Sequence, residues 1–516
     1  MEIREANNLK QVFYSGEGDD IIVKSKIKDG IINFPQLRKL SLSKCSFFGP
    51  KDFAVQLPSL QCLSISGHEE GGNLLAQLRG FMNLKEISIE NLEGVQDLMQ
   101  VERLVTNRRG GHELSLVSSE TLHLNLLPDL SCIWKGLVPS NLTTLDVKKC
   151  DRLTHVFTNS IIASLIQLKF LDISNCEELE QIIAKDNDDE NDQILSGSDL
   201  KSSCFPNLCR LEIRGCNKLK ILFPVAMASG LKKLQILRVR ESPQLLGVFG
   251  QGDHALTVNV EKEIVLPDLQ ELLLVQLPSI SCFSHGCYDF LFPHLQKLEV
   301  DGCPKLTTTF ATTSNDSMSA QSEGLVPSNL TTLEVKKCDR LTHVFTNSMI
   351  TSLIQLKFLD ISNCEELEQI ISKDNDDEKD QILSGSLKKL RILRVRESPQ
   401  LLGVFGQGDH ASAVNVGKEM VLPDLQELLL VQLPSISYFS HGCYDFIFPC
   451  LLMLEVRQCP KLTTKFATTS NSSMSAQSEV SQVAEGSSTG CSVPTSTCRN
   501  WTRNKGWEED GVVHDD

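Results

Sequence analysis

Leu142-Thr-Thr-Leu145-Asp-Val147-Lys-Lys-Cys150 returns 26 residues later as Leu168-Lys-Phe-Leu171-Asp-Ile173-Ser-Asn-Cys176. In each stretch the last two aliphatic residues stand two apart, so both point to one face of a β-strand. The residues between and after them point to the other face. One such strand cannot bury an apolar face in water. Copies stacked as a parallel sheet can, because their aliphatic residues then form a continuous row.

The motif runs along the chain. Leu37-Leu40-Leu42-Cys45, Leu208-Leu211-Ile213-Cys216, Leu295-Leu298-Val300-Cys303 and Leu451-Leu454-Val456-Cys459 repeat it, and Leu234-Leu237-Val239-Ser242 and Leu269-Leu272-Leu274-Leu277 vary its last residue. The second aliphatic position falls at 40, 63, 87, 122, 145, 171, 211, 237, 272, 298, 333, 359, 393, 428 and 454, which makes 15 repeats. The commonest steps are 26 and 35 residues. The shorter matches a leucine-rich repeat, and the longer adds a loop. The expected fold is therefore an α/β repeat solenoid: a leucine-rich-repeat horseshoe with one long parallel β-sheet on its concave face, from Leu37 to Val456. The second half of each repeat, as in Leu153-Thr-His-Val156-Phe157, supplies the opposite wall. It is too short for long helices, so short helices, 3₁₀ turns and loops are predicted on the convex face. The Cys after each strand is read as a small, weak donor bonding a backbone carbonyl inside the turn.

Composition narrows the function. A net charge of −16 disfavours nucleic acid or an anionic membrane as the main partner, since both select clustered Lys and Arg. There is no apolar run long enough for a membrane span, and Met1-Glu2-Ile3-Arg4-Glu5 has no apolar signal core. The 18 cysteines recur mostly once per repeat, which reads as reduced and buried thiols. A cytoplasmic chain is the expectation.

Part of the array is duplicated. Residues 136–198 match 324–386 at an offset of 188 with five differences, and residues 231–254 match 387–410 at an offset of 156 with one. The 32 residues by which the offset falls are Asp199–Gly230, which hold the repeat built on Leu208, Leu211 and Ile213. The duplicated blocks are read as 136–323 and 324–479. A solenoid tolerates loss of a whole repeat because each layer touches only its neighbours. Met1-Glu-Ile3-Arg4-Glu5 aligns with Leu237-Arg-Val239-Arg240-Glu241, so the first residues are expected to lie in a strand, and the chain is expected to be part, or a truncated derivative, of a longer polypeptide. Residues 1–466 are assigned to the repeat domain, and 467–516, Ser/Thr-rich and then acidic, to a disordered tail.

No catalytic constellation emerges. Cysteines one per layer lack zinc-type spacing. The runs Lys185–Asp192 and Lys373–Asp380 resemble calcium loops in composition only, without the required Gly and bidentate Glu. His285-Gly-Cys287 and His441-Gly-Cys443 have no partner pattern for a nucleophile or ligand pair. Asn141-Leu-Thr143 and Asn329-Leu-Thr331 fit the glycosylation rule but lead straight into strands. No metal or cofactor is expected.

What remains is surface. The middle outward row of the strands reads Asp146, Asp172, Glu212, Arg238, Leu273, Glu299, Glu334, Asp360, Arg394, Leu429 and Glu455, an acidic stripe; the next row, with Lys148, Arg214, Arg240, Lys336, Arg396 and Arg457, is more basic. With Glu271 and Met453 these charged positions form the candidate protein-binding surface. Exposed ion pairs alone stabilise little, so the surface reads as recognition rather than as support.

Phe292-Pro-x-Leu-x-x-Leu-x-Val-x-x-Cys-Pro-x-Leu306, repeated from Phe448 to Leu462, together with Leu127-Pro-x-Leu-x-x-Ile-Trp134, resembles the C-terminal repeats of plant coiled-coil nucleotide-binding leucine-rich-repeat disease resistance proteins. The resemblance covers about residues 1–466. It implies recognition of a pathogen effector or a guarded host protein, and contact with a nucleotide-binding domain held inactive. The chain has no Gly-x-x-x-x-Gly-Lys-(Ser/Thr) loop, so only the recognition and regulatory roles carry over, and no ATP or ADP binding is expected. The alternative is a leucine-rich-repeat substrate adaptor of a ubiquitin ligase, whose N-terminal F-box is not seen.

Overall fold

In a computed structural model of the chain, the structure describes residues 2–3, 31–43, 54–68, 78–79, 84–96, 119–134, 140–184, 204–250, 263–284, 289–307, 329–346, 353–372, 387–405, 418–440, 444–469 and 472–475. The two Asp/Asn-rich runs, both His-Gly-Cys stretches and residues from 476 on lie outside these.

Sixteen strands form one sheet in strict chain order. They are the 15 motif strands, from Lys39–Ser43 to Met453–Arg457, preceded by Glu2–Ile3. Each pair is parallel and in register: Leu145 stands opposite Leu171 and Val147 opposite Ile173, then Leu171 opposite Leu211 and Ile173 opposite Ile213. The aliphatic rows are buried up to the last strand, with Leu145, Val147, Leu211 and Val239 all at 0% exposure; in Met453–Arg457, Leu454 is exposed and Val456 only partly buried. Hydrophobic burial of roughly 1.5–3 kcal/mol per side chain drives the stacking.

Among the described residues, most strands of the long sheet end the same way. The next residue takes a left-handed conformation, as at Lys149 (φ 51°), Asn175 (φ 54°), Glu241 (φ 52°) and Lys337 (φ 52°). Gly215 holds that place at φ 63°, where an added Cβ would run into the Asn175 side-chain oxygen. The turn drives the following Cys inward. Cys150 donates to the Lys148 carbonyl at 3.4 Å, Cys216 to Arg214 at 3.6 Å and Cys338 to Lys336 at 3.3 Å. The thiols therefore act inside the turn as expected, and the described cysteines are all free.

The second half-repeat differs from expectation. A short helix, Asn159–Ile162, and a 3₁₀ segment, Val225–Gly230, are present. Among the described residues, however, that wall is mostly short parallel strands, such as His155–Thr158 with Gln181–Ala184 and Ile221–Pro224 with Gly247–Gly250. The layer spacing explains this. Strands stack about 4.8 Å apart on both walls, whereas helices are about 10 Å wide and would splay the layers. The β-branched and aromatic residues of Val156-Phe157 and Leu222-Phe223 suit strands.

A phenylalanine spine runs between the walls. Trp134 stacks on Phe157 at 6.3 Å, and contacts continue through Phe205 (5.6 Å), Phe223 (5.9 Å) and Phe249 (6.4 Å). Near the other end, Lys465–Thr469 pairs with Tyr444–Ile447 and turns back antiparallel into Ser472–Ser475. Regular structure thus continues past residue 466, the boundary drawn from sequence, because Phe466 is buried at 2% against Phe439, Phe446 and Phe448.

Candidate functional site

The register sets the outward face of the long sheet. Asp146, Asp172, Glu212, Arg238, Leu273 and Glu299 stand side by side on successive strands. Glu334, Asp360, Arg394, Leu429 and Glu455 continue the row. Lys148, Ser174, Arg214, Arg240 and Val275 lie in the next row, which runs on to Lys336, Ser362, Arg396, Val431 and Arg457. The candidate residues are therefore gathered on one surface. A third row, two residues before the middle row in each strand, is absent from the two-row reading except for Glu271 and Met453. It holds Thr144, Phe170, Arg210, Ile236, Glu271 and Lys297, then Thr332, Phe358, Ile392, Glu427 and Met453. The signal for it is present in sequence: Phe170 and Phe358 each precede the second motif Leu.

The charges pair both across neighbouring strands and two residues apart along one strand. Arg238 is clamped between Glu212 (2.9 Å) and Glu271 (2.9 Å). Arg214 grips Glu241 with two bonds of 3.1 Å. Arg394 reaches Glu427 at 2.6 Å and lies over the Phe358 ring, 5.6 Å from its centroid. Lys297 meets Glu299 at 2.9 Å, and Arg457 meets Glu455 at 2.6 Å. Lys148 bonds Asp146 at 2.9 Å and approaches Asp172 at 3.7 Å. Lys336 sits between Glu334 and Asp360 in the same manner.

Two carboxylates stand apart in their surroundings. Burial would raise Asp146, but hydrogen bonds from His123 and Lys148 outweigh it and hold the group below the usual carboxylate range. Burial pushes Asp172 above that range despite Lys148, and the Asp146 and Glu212 charges add to the rise. Asp360, assigned to the solvent face, is 3% exposed because Arg396 covers both its oxygens at 2.9 and 3.0 Å. Ser174, Ser362 and Leu273 also occupy outward positions yet are buried.

Among the described residues, no group of three His, Cys, Asp or Glu side chains is placed to hold a metal ion. No helix there is long and apolar enough to cross a membrane. The site offers hydrogen bonds, charge and one exposed ring, that of Phe170. Its capability is recognition.

Parallel strands in a single chain-ordered sheet, one per repeat, define a leucine-rich-repeat solenoid. The chain belongs to the family described as plant disease resistance protein RPS2-like, leucine-rich repeats, which matches residues 50–177, 178–322 and 318–384. No curated protein is similar to it in sequence. Solved structures that resemble it include an internalin (InlF) from Listeria monocytogenes, at 15% identity over 80% of this chain and 88% of that one with a TM-score of 0.26. TLR13 in complex with ssRNA13 shares 14% identity over 83% of this chain and 73% of that one, with a TM-score of 0.25. The plant peptide hormone receptor RGFR1 in complex with RGF2 shares 14% over 84% and 86%, with a TM-score of 0.18. Likeness at that level carries no functional argument.

Proposed function

We propose that this chain is the protein-recognition module of a plant intracellular immune receptor. Its long-sheet face binds a pathogen effector or a guarded host protein, and part of the same array contacts a nucleotide-binding domain. It binds and does not catalyse, and it acts in the cytoplasm. The observation that carries the reading is the alignment of the outward side chains of successive strands, many of them charged, into three registered rows, in a chain of the RPS2-like family. Concave repeat surfaces of this kind present broad binding faces. The resemblance to resistance proteins favours this reading over a ubiquitin-ligase adaptor.

Co-expression of the full chain with the nucleotide-binding domain of an RPS2-like receptor tests it. A complex is expected to elute together in size-exclusion chromatography and to weaken when Arg238→Glu reverses charge on the outward face. Substitution of exposed residues on the opposite wall is expected to leave it intact. Separate elution of the two, together with no effect of outward-face charge reversals on binding to any effector of such a receptor, overturns the reading.

A further inference from the structure

The duplication supplies an internal comparison. Phe170 and Asp172 in the first copy correspond to Phe358 and Asp360 in the second, with identical residues around each. In the second copy both are occupied. Arg394 lies over Phe358 at 5.6 Å, and Arg396 bonds both oxygens of Asp360. These arginines come from the adjacent strand, Ile392–Arg396, which pairs directly with Phe358–Ser362.

In the first copy the extra repeat intervenes. The corresponding arginines, Arg238 and Arg240, stand two strands away from Phe170–Ser174, with Arg210–Arg214 between. Arg238 is engaged by Glu212 and Glu271. The intervening strand offers no substitute. Arg210 turns to Glu212 at 3.6 Å, Arg214 is held by Glu241, and the residue beside Asp172 is Glu212, of like charge. Phe170 is consequently 42% exposed. The Asp172 side chain is 42% exposed with Lys148 at 3.7 Å, against 4% for Asp360.

The geometry points to Phe170 and Asp172 as a docking site for arginine side chains of a protein partner, one stacking on the ring and one forked onto the carboxylate. This rests on the reading of the chain as a recognition module and names the chemistry of what it recognises. The ligand chemistry is the one the second copy displays at the same residues. Arginine suits it better than lysine because its planar guanidinium both stacks and forks. Phe170 and Asp172 stand two residues apart on one strand, about 7 Å, which matches alternate side chains of an extended peptide. Burial, with the neighbouring Asp146 and Glu212 charges, raises the proton affinity of Asp172, and a guanidinium seated on it would favour its ionised form.

The probe is a fluorescein-labelled peptide, Gly-Arg-Val-Arg-Gly, titrated with the full chain at low ionic strength, beside its Lys-Val-Lys counterpart. The arginine peptide is expected to bind at least about fivefold more tightly than the lysine peptide. Phe170→Leu is expected to weaken it about fivefold and Asp172→Asn about tenfold, with unchanged melting as the check on folding. Phe358→Leu is expected to have no effect. Deleting residues 199–230 reproduces the arrangement of the second copy, brings Arg238 and Arg240 onto Phe170 and Asp172, and is expected to abolish binding. Equal affinity for both peptides, or binding that survives the deletion, overturns the proposal. A protein partner whose binding is lost on outward-face charge reversal yet untouched by Phe170→Leu and Asp172→Asn also overturns it, while leaving the recognition reading in place.

Discussion

The Cys364 backbone N–H donates to the Ser398 hydroxyl across 3.4 Å, and that hydroxyl donates onward to the Arg396 carbonyl at 3.1 Å. Ser398 is 0% exposed. It stands where other repeats carry Cys, so hydroxyl and thiol serve one purpose: they satisfy the backbone of a turn closed off from water. Ser398→Ala is expected to leave the Cys364 N–H without its partner, while the Arg396 carbonyl keeps its bond from the Asn363 N–H, and to cost about 1–3 kcal/mol. Ser398→Cys is expected to cost less than about 1 kcal/mol, since Cys364 makes the same carbonyl bond at 3.4 Å. Equal losses in denaturant unfolding of the two variants would show that side-chain volume, not the hydrogen bond, matters there.

The buried thiols set an alkaline limit. Burial pushes Cys216 and Cys303 up to about 12, and Cys204 and Cys364 up to about 11. In the unfolded chain these groups deprotonate near 8.5. Between pH 9 and 11, therefore, the unfolded state releases protons that the folded state keeps, and stability falls as pH rises, by roughly 1.4 kcal/mol per unit for each such thiol. Below pH 8 the thiols contribute no slope. The urea midpoint of the Cys216→Ser, Cys303→Ser double variant is expected to decline less steeply from pH 9 to 10.5 than that of the parent. Parallel declines would refute the assignment. A thiol reagent at pH 8 should modify exposed Cys450 before any of these four.

Phe205 sits at 0% exposure between Phe157 and Phe223. Phe205→Ala is expected to cost about 3–5 kcal/mol. Because layers contact only their neighbours, the damage should be local. Amide exchange should quicken in Phe170–Ser174, Arg210–Arg214 and Ile236–Arg240, while Glu427–Val431 keeps its protection. Uniform loss of protection along the chain would show a single cooperative unit instead.

How legible this was depends on the wall. The long sheet is written in the two-residue spacing of pairs such as Leu145 and Val147, and that spacing fixes both register and facing. Short strands such as His155–Thr158 were not legible, because Val156-Phe157 is too brief for periodicity to separate strand from turn; the stacking distance decides it. At the site, the rows through Asp146 and Lys148 follow from the motif. The burial of Asp360 does not, since it depends on which repeat lies next door. The same Phe-Leu-Asp-Ile-Ser sequence is open at 170–174 and covered at 358–362.

That contrast makes Arg396 a structural residue and Arg214 a surface one. Arg396→Ala removes the partner that covers Asp360 and leaves Lys336 at 3.5 Å as its remaining cation. A loss of about 1.5–3 kcal/mol is expected, as for other hydrogen bonds to charged groups, softened because the change also opens Asp360 to water. Arg214→Ala breaks an exposed pair with Glu241 and is expected to cost under about 1 kcal/mol. If thermal or urea unfolding gave equal losses, low exposure at Asp360 would not be what sets its energetic weight.

The last strand of the sheet carries the changes expected of altered specificity. Gln296, Lys297 and Asp301 of the first copy become Leu452, Met453 and Arg457, whereas Leu298 and Val300 remain Leu454 and Val456. Leu298 is covered on both sides, by Leu272 and Leu333 in register, and is 2% exposed. Leu454 has Leu428 on one side only, at the end of the strand order, and is 38% exposed rather than buried as the motif implies. With Leu452 at 85% and Met453 at 46%, it forms an apolar step beside the Arg457–Glu455 pair. We propose that this step contributes to partner choice. Exchanging Met453→Lys and Arg457→Asp restores the first-copy residues on an exposed strand, so the stability change should stay within about 0.5 kcal/mol. Affinity for a nucleotide-binding domain or effector bound by the outward face is expected to shift several-fold. Affinity left unaltered by this exchange but abolished by Glu271→Ala or Arg240→Ala would place the recognition surface further back along the sheet.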